Sequence, residues 1–152
     1  MSSRLFIEIR DKLGLTYSIH SFVDHFLDSG SLAICASVDP KKLKEAIQAI
    51  LKEVSKLKEE VPEKDLLKAK EFSKGRLLLR LEDSRSVSSW VGGQELLLGK
   101  VLSPDEVIAI VDSITSDEAL ALAREIFIGE KLHLAVVGPV PEQEPLGELL
   151  EL

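Results

Sequence analysis

This sequence of 152 residues has only one cysteine, one tyrosine, one tryptophan and one methionine. A single cysteine excludes a disulfide framework, or a metal site built on several thiolates, within one chain. We interpret Cys35 as a small core residue, because it lies in the apolar run LAICASV and a reactive thiol prefers a basic, partly exposed setting. Long apolar stretches are also lacking. Since a membrane span needs about 20 such residues, we expect no membrane partner.

The charge balance is acidic, with 19 basic and 26 acidic residues and a net charge of −7. Because no basic stripe is present, the sequence argues against nucleic acid as a partner. The first ten residues carry charges where a signal peptide would have its apolar core, and we therefore expect a cytoplasmic protein. The length predicts one domain, and apolar residues at 45% are enough to form a core.

Hydrophobic periodicity and turn residues predict an α+β fold. In chain order the pattern predicts a helix over 3–13, strands over 17–26 and 31–38, a helix opening at Asp39-Pro40, a helical segment over 63–98 with a break near 84–89, helices over 103–113 and 115–127, and a buried strand over 132–137. These elements form a small, mostly antiparallel sheet packed against several helices. Three strands are few for so many helices, so we expect a first strand to be missing or supplied from elsewhere.

Most catalytic motifs are absent from this sequence. The histidines, His20, His25 and His133, do not form the H-E-x-x-H or H-x-x-E-H spacing of zinc peptidases. No phosphate-binding loop, dinucleotide fingerprint or G-x-S-x-G nucleophile elbow is present either. The sequence therefore predicts no metal or cofactor site in this chain.

Arg10 and Tyr17 remain as candidate site residues. Arg10 lies off the apolar stripe of the first predicted helix, and Tyr17 opens the first strand after the helix ends at Gly14. A phenol and a guanidinium that share one rim could both donate hydrogen bonds to a carbonyl oxygen or an oxyanion. The alternative is that Tyr17 packs with its hydroxyl in water and Arg10 is a surface charge, and composition alone favours this alternative.

Several stretches, in order, are similar to one peptidase family. SSRLFIEIRDKLGLTYSIHS (2–21) resembles the signature in the C-terminal half of the pitrilysin/insulinase-like zinc metallopeptidases, which include the mitochondrial processing peptidase. The likeness continues through DSGSLAICASVDPKKL (28–43), LLKAKEFSKGRLLLRLEDSRS (66–86), GQELLLGKVLSPDEVIAIVDSIT (93–115) and LHLAVVGP (132–139). It covers nearly the whole chain except the acidic tail.

The resemblance implies a half of a clam-shell peptidase. In such enzymes the first half binds zinc through H-x-x-E-H and a distant glutamate. The second half supplies an arginine and a tyrosine, seven residues apart, that hold the substrate peptide and stabilise the oxyanion. Those positions match Arg10 and Tyr17. The resemblance thus implies an incomplete substrate-holding domain over 1–140 and an acidic tail over 141–152.

The same resemblance implies that this chain needs a partner. Without H-x-x-E-H we expect the isolated chain to be inactive, with zinc held by an N-terminal half or partner subunit and with a peptide as substrate. A missing strand would leave a sheet edge exposed, so self-association through that edge is a further expectation. The alternative function is a non-catalytic scaffold or partner subunit of the same fold.

Overall fold

The computed structural model describes residues 2–140 and 145–151, and the chain divides into two compact units. The first unit comprises Met1–His25, Ser29–Glu60 and Leu120–Leu152, and the second comprises Phe26–Asp28 and Val61–Ala119. The described residues contain one antiparallel two-stranded sheet and several helices. The fold is therefore α+β, as the sequence predicts.

The sheet is a hairpin of β1, Thr16–His25, and β2, Gly30–Val38. Both predicted strands are confirmed within one residue at each end. β-branched and aromatic residues favour the extended conformation in β1, and Asp28-Ser29 supplies the turn between the strands.

Five α-helices and one π-helix account for most of the remaining described residues. They are the π-helix Phe6–Lys12, α1 Leu43–Glu59, α2 Glu63–Arg80, α3 Ser84–Leu98, α4 Pro104–Ser113 and α5 Ser116–Ile126. The long helical segment is interrupted, as predicted, but at 81–83 and not at 84–89, which form the start of α3. The Asp83 side chain caps α3 by accepting from the Ser86 N–H at 2.8 Å. Short 3-10 turns lie at Pro40–Lys42, Gly129–Lys131 and Leu146–Leu149.

Two S/T-x-x-E capping boxes start α4 and α5, where the sequence predicts that helices begin. At α4, Ser103 Oγ accepts from the Glu106 N–H while Glu106 Oε2 accepts from the Ser103 N–H at 2.7 Å. At α5, Thr115 and Glu118 repeat this reciprocal arrangement. Each box satisfies amide groups that a helix start otherwise leaves unpaired.

The core of the first unit lies between one face of the hairpin and two helices. Its buried members come from the π-helix, the turn after it, β1 and α1: Ile9, Leu15, Ile19 and Ala46. On β2 the even-numbered side chains Ile34, Ala36 and Val38 pack against this cluster.

The core assignment of Cys35 is wrong. Cys35 is exposed, because alternation along a half-covered strand turns odd-numbered β2 residues away from the core face. It lies directly opposite His20 on the outer face. When both odd- and even-numbered positions of a run are apolar, the sequence predicts a strand but does not show which of its two faces is buried.

The predicted third strand over 132–137 is also wrong. This segment begins in an extended conformation at Leu132, but within the described residues the sheet contains only β1 and β2. Leu134 is 39% exposed and Val137 is fully exposed. A strand requires a neighbour that accepts its ladder hydrogen bonds, and this apolar run has no such neighbour among those residues.

The acidic tail falls partly outside the described residues, since 141–144 and Leu152 are not described. The remaining part contains the 3-10 turn Leu146–Leu149, which contacts α1.

The second unit is helical and has little buried apolar surface. In its described part, no hydrophobic side chain belongs to the buried core, and Leu67, Phe72, Leu79 and Leu96 are among its exposed apolar residues. The Asp112 side chain accepts from Lys74 Nζ at 2.8 Å and joins α4 to α2. This bond raises the pKa of Lys74. None of the described helices is long and apolar enough to cross a lipid bilayer.

Candidate functional site

Arg10 lies on the π-helix, where wider hydrogen bonding replaces the usual helical pattern. The Leu13 N–H donates to the Glu8 carbonyl, five residues back, at 3.1 Å. The wider turn of a π-helix changes which residues of the expected apolar stripe face the core. Ile9 is fully buried while Leu13 is 52% exposed. π-helical turns occur often at functional sites.

The guanidinium of Arg10 is partly exposed and has two neighbours. Its Cζ lies 4.6 Å from the centroid of the Phe6 ring, and its Nη1 lies 3.7 Å from Asp11 Oδ1. Nearby, Lys12 Nζ donates to Glu8 Oε1 at 2.7 Å, and this hydrogen bond lowers the pKa of Glu8. The helix surface around Arg10 therefore carries charges of both signs.

The turn after the helix is fixed by Gly14. Its φ of +61° lies in the left-handed region, which glycine adopts without strain. The Gly14 N–H donates to the Arg10 carbonyl at 3.1 Å, and the Leu15 N–H donates to the Ile9 carbonyl at 3.0 Å. Leu15 then enters the core at 3% exposure. These contacts determine where the following strand begins.

Tyr17 is the extra residue of a β-bulge. Thr16 lies opposite Val38, and Ser18 lies opposite the adjacent residue Ser37. Between these two pairs, β1 therefore contains one residue more than β2. Tyr17 therefore has no partner in the ladder, and its side chain is 83% exposed. Bulges next to active sites commonly re-aim a side chain in this way.

An open groove of about 480 Å³ lies beside Tyr17. It is lined by Gly14, Leu15, Thr16, Tyr17, Ser37, Val38, Asp39 and Lys42. Lys42 Nζ donates to the Gly14 carbonyl at 3.1 Å, and Asp39 Oδ1 accepts from the Lys41 N–H. Thr16 Oγ1 is buried and has no hydrogen-bond partner among the described residues. The groove thus offers donors and a positive charge around the phenol.

The structure places both predicted site residues in one helix–turn–strand unit, but among the described residues no hydrogen bond or cation–π contact joins their side chains. Arg10 contacts Phe6 and Asp11, and the Tyr17 hydroxyl makes no hydrogen bond in the described part of the chain. Their catalytic roles remain predictions. Lys42 was missed by sequence reasoning, because it lies 28 residues after Gly14 and no local pattern links the two.

The described residues do not fit a zinc site. None of their histidine, cysteine, aspartate and glutamate side chains form a group of three that could hold a metal ion. His20 and His25 lie on opposite faces of β1, since they differ by an odd number of residues in a regular ladder. His20 instead stacks on Phe22, with 6.0 Å between ring centroids. No step that uses zinc is assigned to this chain.

Sequence comparison identifies the class of domain. Residues 1–72 match the family described as "Peptidase M16 inactive domain". This segment includes the π-helix, the Gly14 turn, the hairpin and α1. Over these residues the chain belongs to the C-terminal, inactive domain of the M16 peptidases.

Individual relatives agree with this family. The chain is 36% identical over 140 residues to an uncharacterized zinc protease of Bacillus subtilis, covering 91% of this chain and 34% of that protein. It is 31% identical over 145 residues to one of Streptomyces coelicolor, covering 95% and 31%. An uncharacterized zinc protease of Mycobacterium leprae is 33% identical over 153 residues, covering 100% and 34%. The chain spans about a third of the length of these relatives.

The fold recurs in a solved structure of complex III2 from Candida albicans with Inz-5 bound. The TM-score is 0.75 and the identity is 23%, and the match covers 82% of this chain and 30% of that chain. At this identity the likeness shows the fold alone.

Proposed function

We propose that this chain is the substrate-holding half of a zinc-dependent endopeptidase, with Tyr17 as oxyanion donor and Arg10 as the residue that grips the substrate peptide. The observation that carries the proposal is the bulge at Tyr17, which turns the only tyrosine of the chain out of the ladder. The turn at Gly14, which leads into this bulge, is hydrogen-bonded to the carbonyl groups of Ile9 and Arg10 on the preceding helix.

The chemistry suits a peptide carbonyl that is becoming negatively charged. A phenol O–H is a neutral donor, and its position in an open groove leaves it available to an oxygen of the substrate. A guanidinium offers several donors in a fixed plane, which matches a carbonyl or carboxylate. To reach the substrate, Arg10 would have to leave the Phe6 ring.

The proposal requires a zinc-binding half from outside the described residues. That half, in the same polypeptide or in a partner subunit, would supply the metal and the general base. The isolated chain is then inactive, because its described residues contain no group of side chains that could hold the zinc ion this mechanism requires. Peptide cleavage by the pure chain that depends on added zinc would contradict this.

A reconstitution assay tests the proposal. The chain is mixed with the zinc-binding half of a related M16 peptidase, and peptide cleavage is compared for wild type, Tyr17→Phe and Arg10→Lys. Loss of one oxyanion donor should lower kcat by roughly 100- to 1000-fold. Unchanged cleavage by Tyr17→Phe, while the halves still associate, would refute the catalytic role.

Two control variants match these changes. Ser21→Ala removes an exposed hydroxyl from β1 away from the groove. Arg76→Lys alters a guanidinium that also lies over a phenylalanine ring, Phe72, at 5.6 Å but on α2. Both controls should retain the activity of the wild type.

A scaffold subunit of the same fold is the second candidate function. The observation that favours it is that the Arg10 side chain is already engaged by Phe6 and Asp11 and does not contact Tyr17. In that case the chain would bind the zinc-binding half, and both Tyr17→Phe and Arg10→Lys would leave cleavage unchanged.

Self-association through the hairpin edge is a further part of the proposal. Within the described residues, the outer edges of β1 and β2 have no ladder partner, and β2 contains no charged residue. Uncharged open edges invite strand pairing. Light scattering at high concentration tests this, since a strictly monomeric chain would contradict it.

A further inference from the structure

Lys42 connects the end of β2 to the turn that precedes Tyr17. It is the last residue of the 3-10 turn Pro40–Lys42, which leads from β2 into α1. Its Nζ donates to the Gly14 carbonyl at 3.1 Å. Because the bond joins residues 28 apart in the sequence, it links the turn at Gly14 directly to the segment between β2 and α1.

The position of this hydrogen bond allows Lys42 to restrain the start of β1. The Gly14 carbonyl lies just beyond the C-cap residue Leu13, and a cationic side chain near a helix C-terminus is favoured by the helix dipole. Gly14 is also the most permissive residue of the turn, with a φ of +61°. A contact that restrains its carbonyl therefore restrains the start of β1.

We propose that Lys42 is a positioning residue for Tyr17, and this inference rests on the proposed function. Lys42 and Tyr17 line the same groove, and Thr16 and Leu15 between the turn and the bulge are buried. Buried residues transmit a displacement of the Gly14 turn to the bulge, because close-packed side chains cannot absorb it. Lys42 thus holds the phenol where an oxyanion would form.

Hydrogen exchange of the full chain tests the structural link without any enzyme assay. The Leu15 amide is bonded to the Ile9 carbonyl and reports on opening of the turn. In Lys42→Met we expect it to exchange about three- to tenfold faster, the range for one net hydrogen bond. Lys42→Arg should restore slow exchange. Lys44→Met, which removes an exposed lysine two residues on, should not change it.

A double-mutant cycle in the reconstituted enzyme tests whether Lys42 acts through Tyr17. We expect Lys42→Met to lower kcat about three- to tenfold with KM little changed, and to have no further effect when Tyr17→Phe is already present. Equal losses in both backgrounds would overturn the inference, because the effect would then not pass through the phenol.

The two proposals fail in different ways. If Tyr17→Phe abolishes cleavage while Lys42→Met changes neither exchange nor kcat, only the role of Lys42 is overturned. If Tyr17→Phe leaves cleavage unchanged, the proposed function fails, and positioning for catalysis fails with it. Faster exchange in Lys42→Met would then show a turn restraint without a catalytic purpose.

Discussion

The guanidinium of Arg10 lies over the ring of Phe6, with 4.6 Å between Cζ and the ring centroid. Residues four apart on a helix meet in this way. The ring thus holds the guanidinium on its own helix. We propose that Arg10 leaves this ring when it binds a substrate, so that substrate binding competes with the Phe6 ring.

This competition predicts that Phe6→Leu strengthens substrate binding. A cation–π pair at an exposed site contributes about 0.5–1 kcal/mol, so its loss should lower KM of the reconstituted enzyme by about two- to fivefold. Phe72→Leu, which removes the matching ring from Arg76, serves as the control. An unchanged KM in Phe6→Leu would show that Arg10 does not leave the ring during binding.

Tyr17→Phe should leave the stability of the chain unchanged. The side chain is 83% exposed and makes no hydrogen bond among the described residues, so we expect a change within about 0.5 kcal/mol. Ile19 lies two residues further along β1 and is buried. Ile19→Ala should therefore lower the free energy of unfolding by about 2–5 kcal/mol. Urea unfolding measures both, and a large loss in Tyr17→Phe would assign the tyrosine to packing.

Two glycine substitutions should have effects of opposite sign. Gly14→Ala places a Cβ at a φ of +61° and should destabilise the chain by about 1 kcal/mol or more. Gly75→Ala lies inside α2 with no atom within 4 Å of the new Cβ and should stabilise α2 by about 0.5–1 kcal/mol. Thermal unfolding measures the change in stability of both variants, and hydrogen exchange in α2 measures the local effect of Gly75→Ala. If both substitutions stabilised the chain, the result would contradict the left-handed conformation of Gly14.

The capping boxes predict a loss of helix stability in acid. Hydrogen bonds from the Ser103 and Thr115 amides lower the pKa of Glu106 and Glu118 from their ordinary value of 4.5. Because the folded pKa lies below the unfolded one, the stabilisation is complete above pH 4.5 and is lost as the pH falls through the lowered pKa.

Circular dichroism from about pH 7 to about pH 3 measures this loss. The double variant Glu106→Gln/Glu118→Gln keeps the oxygen acceptors without the charge, so its helix content should depend less on pH. Glu45→Gln, at an exposed site in α1, should follow the wild type. An identical acid profile for all three proteins would show that the two boxes do not contribute.

The sequence predicted best those elements that are specified by neighbouring residues. The capping residues at Ser103 and Thr115 act within one helical turn, so their pattern is visible in the chain. The hairpin and Gly14 are equally local. The face on which Cys35 lies and the missing ladder at 132–137 depend on distant partners, and local propensity carries no such information.

The candidate site was only half predictable for the same reason. Arg10 and Tyr17 stand out because the family motif places them seven residues apart. The π-helix under Arg10 and the bulge at Tyr17 were not predicted, since each depends on how the backbone pairs. Lys42 reaches the site through tertiary structure alone.

The bulge also separates Tyr17, the residue proposed for catalysis, from the residues that form the hairpin ladder and the core. If Tyr17 were removed, Thr16 and Ser18 would become consecutive while keeping Val38 and Ser37 opposite them, and the ladder would be regular. Tyr17 is therefore an insertion that the hairpin does not need for folding. Because Tyr17 is 83% exposed and lies outside the buried core, we expect a replacement of this residue to keep the fold, while on the proposed function it would remove the oxyanion donor.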